Sequence, residues 1–328
     1  MSKKGKAPYI GVDLGGTKIL AAVISRKGKI LSEAKSPTPD REGPEVVIAR
    51  VAETVQQAAR AAEIDPGDAA GLGIGAPGVV EAATGVVRFA PNLPHWDEVP
   101  LGHKLSEALG LPVVVGNDVD VATFGEYALG AGAGCRSVAG IFPGTGIGGA
   151  LILDGKLHTG ARGSAAEIGH ITLLADGPVC GCGRRGCAEA LASRTALERD
   201  LRAAMRFGRR TVLTDLMDAE GRIRSGALAK AAAANDLLVL EVLFRTAHYL
   251  GLLAGSIANL IDPEVIIFGG GLIEACEEWL MPTIRATAQQ HFINRLDIEK
   301  VRIEVATLGD YAGVLGAAML AQATFNNA

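Results

Sequence analysis

Tyr9-Ile10-Gly11-Val12-Asp13-Leu14-Gly15-Gly16-Thr17-Lys18-Ile19-Leu20-Ala21-Ala22-Val23-Ile24-Ser25 opens the patterned part of the chain and decides its fold class. The largely apolar run over residues 9–14 reads as a strand. Gly15-Gly16-Thr17-Lys18 turns it back, and residues 19–25 read as a second strand. Lys27-Gly28 turns again into a third strand over 29–36. This is a meander, not the strand–helix–strand opening of a βαβ unit. The order recurs further on. Residues 137–142 read as a strand, Pro143-Gly144-Thr145-Gly146-Ile147-Gly148-Gly149 as a turn, and 150–153 as a strand. Asp154-Gly155 then turns into 156–158, so that Gly155-Lys156-Leu157 falls under Gly28-Lys29-Ile30. Two such meanders imply a duplicated α/β fold.

Between the copies, Pro44 opens a helix with Val47, Val51, Val55, Ala58 and Ala62 on one face. A buried strand over 70–75 is broken by Ala76-Pro77-Gly78. Pro91-Asn92-Leu93-Pro94 reads as a loop, 101–109 as a helix, and 112–116 as a strand ending in Gly116-Asn117-Asp118. A helix then runs to about residue 129. Beyond 191 the chain turns largely helical. It is interrupted by a strand over 264–268 that runs into Gly269-Gly270-Gly271, with a helix from Glu274. A last strand over 301–308 and a helix over 310–321 close the chain.

Glycines at strand ends let backbone N–H groups approach a phosphate. Thr17 adds a hydroxyl and Lys18 a charge, and Asp13 can hold a magnesium ion or its waters. One Gly pair alone is usually a hairpin turn. Three clusters at strand ends (Gly15-Gly16, Gly144 to Gly149, Gly269 to Gly271) suggest a nucleotide in a cleft between the halves. None fits G-x-x-x-x-G-K-[ST], nor G-x-G-x-x-G opening a helix, which removes P-loop and dinucleotide-binding readings. Asp118, at a strand end, reads either as the N-cap of the next helix or as a carboxylate that takes a hydroxyl proton.

A second feature is a knot of ligands. His170, Cys180, Cys182 and Cys187 form H-x9-C-x-C-x4-C. Three thiols and an imidazole match a closed, tetrahedral and therefore structural zinc site. Cys180 and Cys182 are too near for a relaxed disulfide, and three thiols cannot pair off. Glu167 and Glu189 bracket the knot, and a rigid frame presenting two carboxylates suits a polyol.

The 328 residues suit two domains, and 48% hydrophobic content suffices for large cores. A net charge of −4 carries no nucleic-acid footprint. No apolar h-region follows the basic start, so no signal peptide is expected. The apolar stretch 237–261 is interrupted by Glu241, Arg245, His248 and Asn259 and reads as a buried helix, not a membrane span. Thiols arranged for metal fit a reducing compartment, so a cytoplasmic protein is expected.

These motifs together resemble the ROK family (repressors, open reading frames, sugar kinases), and within it the bacterial glucokinases. The resemblance runs from Asp13-Leu14-Gly15-Gly16-Thr17-Lys18 to Gly269-Gly270-Gly271 and is most specific from Gly144 through Ala161 to His170 and the cysteine knot. It implies an actin-like ATPase (ribonuclease H-like) duplicated fold, two domains with a central cleft and a zinc loop. The small domain would take residues 1–118 with 311–328, and the large one 119–310. It implies ATP-dependent phosphorylation of the glucose 6-hydroxyl with magnesium, and Asp118 as catalytic base. Gly78, Asn92, Asn117, Asp118, Glu167, His170 and Glu189 would hold the sugar. Asp13, Gly15, Gly16, Thr17, Lys18, Gly144, Thr145, Gly146 and Gly148 would hold the phosphates, and Gly269, Gly270 and Gly271 the adenosine. His170 would also ligate zinc with Cys180, Cys182 and Cys187. The resemblance further implies a homodimer or higher homo-oligomer. Alternatives are another acceptor (mannose, fructose or an N-acetylated amino sugar), polyphosphate as donor, or a sugar-sensing regulator without catalysis. Repressor members carry an N-terminal DNA-binding segment, and only about eight residues precede the first strand here, so no nucleic-acid partner is expected.

Overall fold

The computed structural model describes residues 7–90, 93–294, 296–297 and 299–326. It divides into two compact units. Unit 1 holds the chain up to Gly134, with Leu151–Ala165 and the part from Thr307 on; unit 2 holds Cys135–Ala150 and Ala166–Ala306.

Unit 1 begins with β1 (Tyr9–Leu14), β2 (Lys18–Ile24), β3 (Ile30–Pro37) and α1 (Pro44–Ala61). There follow β4 (Leu72–Ala76), the short strands β5 (Val79–Glu81), β6 (Val86–Phe89) and β7 (Asp97–Val99), α2 (Leu101–Leu109), β8 (Val113–Asn117) and α3 (Asp118–Leu129). The main sheet has the order β3-β2-β1-β4-β8. The meander pairs antiparallel, and β1, β4 and β8 run parallel. Of the expected face of α1, Val47, Val51, Val55 and Ala58 are buried, with the helix on β2 and β3, while Ala62 caps the helix end and is half-buried. Each such branched side chain taken out of water contributes about 1.5–3 kcal/mol. β5, β6 and β7 make a separate antiparallel sheet, and Trp96, just before β7, is 2% exposed. Strands of three or four residues show too few alternations to be read from sequence.

Unit 2 begins with β9 (Val138–Pro143). β10 (Ile147–Leu153) starts in unit 2, while its end and β11 (Lys156–Leu157) belong to unit 1; unit 2 resumes with α4 (Ala188–Ala192), α5 (Arg194–Arg206), α6 (Leu213–Leu216) and α7 (Ser225–Ala233). It continues through α8 (Leu237–Ile261), β12 (Val265–Phe268), α9 (Gly271–His291) and β13 (Arg302–Val305). The second sheet has the order β11-β10-β9-β12-β13, which repeats the first sheet strand for strand. Val265, Ile266, Ile267 and Phe268 of β12 are fully buried. α8 is the one helix among the described residues long and apolar enough to cross a membrane; here it packs on α9, α4 and α5, with Leu243, Ala247, Leu250 and Leu253 fully buried.

The closing helix, α10 (Ala312–Phe325), lies in unit 1. Gly11 and Gly73 are register partners on β1 and β4, and a methyl on either would strike the Val314 or Ala317 carbonyl of α10. The helix backbone therefore rests directly on the sheet. α3 packs against α10 at Gly125 and Gly316, and both helices lie in unit 1.

The last strand ends earlier than expected for a specific reason. The Glu126 side chain on α3 is fully buried, and its Oε1 accepts from the Thr307 and Leu308 N–H groups at 2.8 and 2.7 Å. Its Oε2 accepts from Ala131 N–H at 2.9 Å and from Thr307 Oγ1 at 3.2 Å. The amides at 307–308 are thus taken by a carboxylate instead of a neighbouring strand.

Candidate functional site

In unit 1 the chemistry gathers at the ends of β1 and β8. The turn after β1 closes with Gly15 N–H donating to Lys18 O at 3.0 Å. Thr38, just past β3, fastens the turn: its Oγ1 donates to Gly15 O at 2.7 Å and its N–H to Thr17 O at 3.1 Å. No local signal marks Thr38, because its partners lie more than twenty residues away. A Cβ on Gly16 would meet nothing within 4 Å, so that backbone stays approachable. Lys18 Nζ stands 3.9 Å from Asp310 Oδ2, both exposed, so this pair adds little stability.

The N-cap of α3 is Asn117, not Asp118. Asn117 Oδ1 accepts from Val119 N–H at 2.9 Å and from Asp120 N–H at 3.4 Å. Its Nδ2 donates to Gly78 O at 2.8 Å, while Gly78 holds a φ of 91° and a methyl there would strike the Phe89 carbonyl. The amide is therefore largely occupied by backbone. Asp118 is freed from capping; its Oδ1 accepts from Val119 N–H at 2.9 Å.

Burial raises the Asp118 carboxyl above its ordinary range, against the pull of the Val119 N–H and Asn117. Asp13 is pushed up to about 6, first by burial, then by the Asp118 charge, with Lys18 opposing and Asp310 adding. Gly313 in the first turn of α10 packs against the Asp13 carboxylate, where a side chain would not fit. Asn92 lies outside the described residues.

In unit 2 the turn joining β9 to β10 is held from α4 and α5. Gly144 N–H donates to Gly146 O at 2.8 Å, and Gly144 O accepts from Arg194 N–H at 2.9 Å. Thr195 Oγ1 donates to Thr145 O at 2.6 Å, and Arg194 Nη2 to Thr145 Oγ1 at 3.4 Å. Neither Arg194 nor Thr195 carries a motif that would have flagged it. Glu189, in the first turn of α4, accepts from Ile147 N–H through Oε2 at 3.1 Å. A methyl on Gly146 would collide with that carboxylate, so the neighbour that excludes a side chain at 146 is Glu189. Gly270 caps α9 at φ 90°, and Gly271 begins that helix three residues before the expected start.

The knot folds as a small set of backbone braces. Cys180 N–H donates to Arg184 O at 2.7 Å, Gly183 N–H to Cys180 O at 2.9 Å and Ala188 N–H to Ile171 O at 2.9 Å. His170 ends a single 3-10 turn, Ile168–His170, whose Gly169 packs on the Ile147 carbonyl. One ligand atom each from His170, Cys180, Cys182 and Cys187 lies within 4.8 Å of the other three. Cys182 Sγ and Cys187 Sγ are 3.7 Å apart, as are Cys180 Sγ and His170 Nδ1. Four donors about 2.0–2.3 Å from one ion at tetrahedral corners stand roughly 3.3–3.8 Å apart, a range that holds both 3.7 Å separations, and three thiols with an imidazole suit such an ion. Nδ1 is the nitrogen turned to the sulfurs, which leaves Nε2. Glu167 is exposed and precedes the 3-10 turn, with its carbonyl accepting from His170 N–H at 3.0 Å.

Two copies of one sheet, each with a glycine turn after its first strand, define the actin-like ATPase fold, here with a cluster in the second unit that could hold a metal ion. Comparison with known proteins narrows this. The ROK family profile matches residues 9–324, and the chain belongs to that family. It is 40% identical to the glucokinase of Streptomyces coelicolor over 316 residues, 95% of this chain and 97% of that one. Its fold matches a ROK hexokinase from Thermus thermophilus with a TM-score of 0.82 at 35% identity, covering 98% and 100% of the two chains. It also matches a ROK glucokinase from Streptomyces griseus in complex with glucose and AMPPNP, with a TM-score of 0.81 at 37% identity, covering 97% and 100%.

Proposed function

We propose that this protein is an ATP-dependent glucokinase that transfers the γ-phosphoryl group to the 6-hydroxyl of glucose. The observation that carries the reading is Asp118: a carboxylate at a strand end, released from capping by Asn117, with its pKa raised by burial. Such a group can take the hydroxyl proton as the oxygen attacks the γ-phosphorus and the bond to the β-phosphate oxygen breaks. Relatives named glucokinase, alike over nearly the whole chain, support glucose as acceptor and ATP as donor.

In this reading the backbone N–H groups of Gly15 to Lys18 and Gly144 to Gly148 receive the phosphates, and Gly269 to Gly271 border the adenosine. Asp13 would hold a magnesium ion or its waters, and that ion would neutralise charge on the phosphates. Glu167, Glu189 and Asn92 accept or donate to sugar hydroxyls, while Gly78 and Asn117 shape the wall behind them. His170, Cys180, Cys182 and Cys187 would hold zinc, and with Nδ1 so engaged the His170 Nε2–H would be left to donate to a sugar hydroxyl. A cytoplasmic homodimer completes the proposal.

A coupled ADP-release assay across glucose, mannose, fructose and N-acetylated amino sugars, with ATP and then polyphosphate as donor, tests it. Glucose with ATP should give the highest kcat/KM. ADP release no faster with any sugar than without would reject the reading, and a different best sugar would correct its acceptor.

A further inference from the structure

Resting on the glucokinase reading, we infer that Glu189 is a positioning residue for the Gly144 to Gly149 turn, and thereby links sugar recognition to nucleotide recognition within unit 2. Its two oxygens face different partners. Oε2 accepts from Ile147 N–H at 3.1 Å, the first amide after Gly146. Oε1 lies 3.5 Å from Cys180 Sγ, against the ligand knot. Glu189 follows Cys187 by two residues on a helix of five, so the knot and the carboxylate form one rigid piece. The Gly146 Cα is pressed against this carboxylate, and Gly169 packs on the Ile147 carbonyl. The turn is thus seated on the piece that carries His170 and Glu189.

A charge-assisted hydrogen bond to a backbone amide contributes more than a neutral one, and its loss leaves that amide unpaired. The turn geometry that presents N–H groups to phosphate therefore depends on where the Glu189 carboxylate sits. A sugar hydroxyl that fixes this carboxylate fixes the turn as well, and a displaced turn displaces the carboxylate.

Calorimetric titration of the metal-loaded protein with glucose alone and with AMPPNP alone tests this in three variants. Glu189→Gln keeps a carbonyl oxygen for Ile147 N–H, so AMPPNP affinity should stay within about threefold while glucose affinity falls about tenfold or more. Glu189→Ala removes the acceptor, so both affinities should fall, AMPPNP by about tenfold. Gly146→Ala places a methyl against a flexible carboxylate and should weaken glucose by about tenfold, although residue 146 touches no sugar in this reading. Melting temperature and metal content identify a variant that fails to fold, in which case the remaining two decide. AMPPNP affinity equal in Glu189→Ala, Glu189→Gln and wild type would overturn the inference, as would unchanged glucose affinity in folded Gly146→Ala. A wild-type protein that binds AMPPNP but not glucose would reject the glucokinase reading, while the AMPPNP comparison of the Ala and Gln variants still judges the turn.

Discussion

Two carboxylates near the ends of β1 and β8 set the behaviour at the scale of single residues. Asp118→Asn keeps the shape but cannot take a proton, so kcat should fall about a hundredfold or more with the glucose KM within about tenfold. Near-normal turnover would remove Asp118 from the mechanism. Both groups ionise above the ordinary carboxylate range, Asp13 at about 6. Since both are needed charged, kcat/KM should drop as the pH falls through about 6, and an acid limb only near 4 would contradict this. The stability consequence has the opposite sense. A carboxyl whose folded pKa exceeds its unfolded value of 3.8 stabilises the fold fully below pH 3.8 and loses that contribution as pH rises through about 6. Ionised Asp13 therefore costs stability at pH 7.5. Asp13→Asn should raise the unfolding free energy there by about 1–2 kcal/mol, discounted for partial exposure, while activity falls. Chemical denaturation at pH 7.5 and pH 4 separates these effects, because the gain should shrink at the lower pH.

At the scale of elements, the knot is the part most readable from sequence, because its ligands and braces all lie between residues 170 and 188. The meanders are equally local, and β1 spans the residues that its pattern marks. What escapes is whatever depends on contacts across the chain. Asp118 and Asn117 are adjacent and both able to cap, and the Asn117 amide that does so is also held by the Gly78 carbonyl, 39 residues away. Glu189 and Ile147 are 42 residues apart, and neither carries a mark of the other. The knot should hold about one zinc per chain. Cys182→Ser should lose it together with glucose binding, as measured by metal mass spectrometry and calorimetry. His170→Gln offers an amide at similar reach but is a poor metal ligand. It should raise the glucose KM at least tenfold while the ATP KM changes less than threefold. A zinc-replete His170→Gln enzyme with an unchanged glucose KM would restrict the histidine to the metal.

For the molecule as a whole, duplication was legible because both copies keep the same turn positions, and the observed strand orders match. The place of α3 in unit 1 depends on its packing against α10, a helix nearly two hundred residues later, which no local pattern marks. That packing is testable: Gly73→Ala should cost about 1–3 kcal/mol by overpacking against a helix backbone that cannot yield, read from the urea midpoint. The buried Glu126 reaches further. One carboxylate accepts the amides of Ala131, Thr307 and Leu308, which lie 5, 181 and 182 residues from it. A segment cannot lend its acceptor to one amide and withhold it from the others. In native-state deuterium exchange these three protons should behave as one reporter, opening in a single event with a common free energy, far apart in sequence yet synchronous in time.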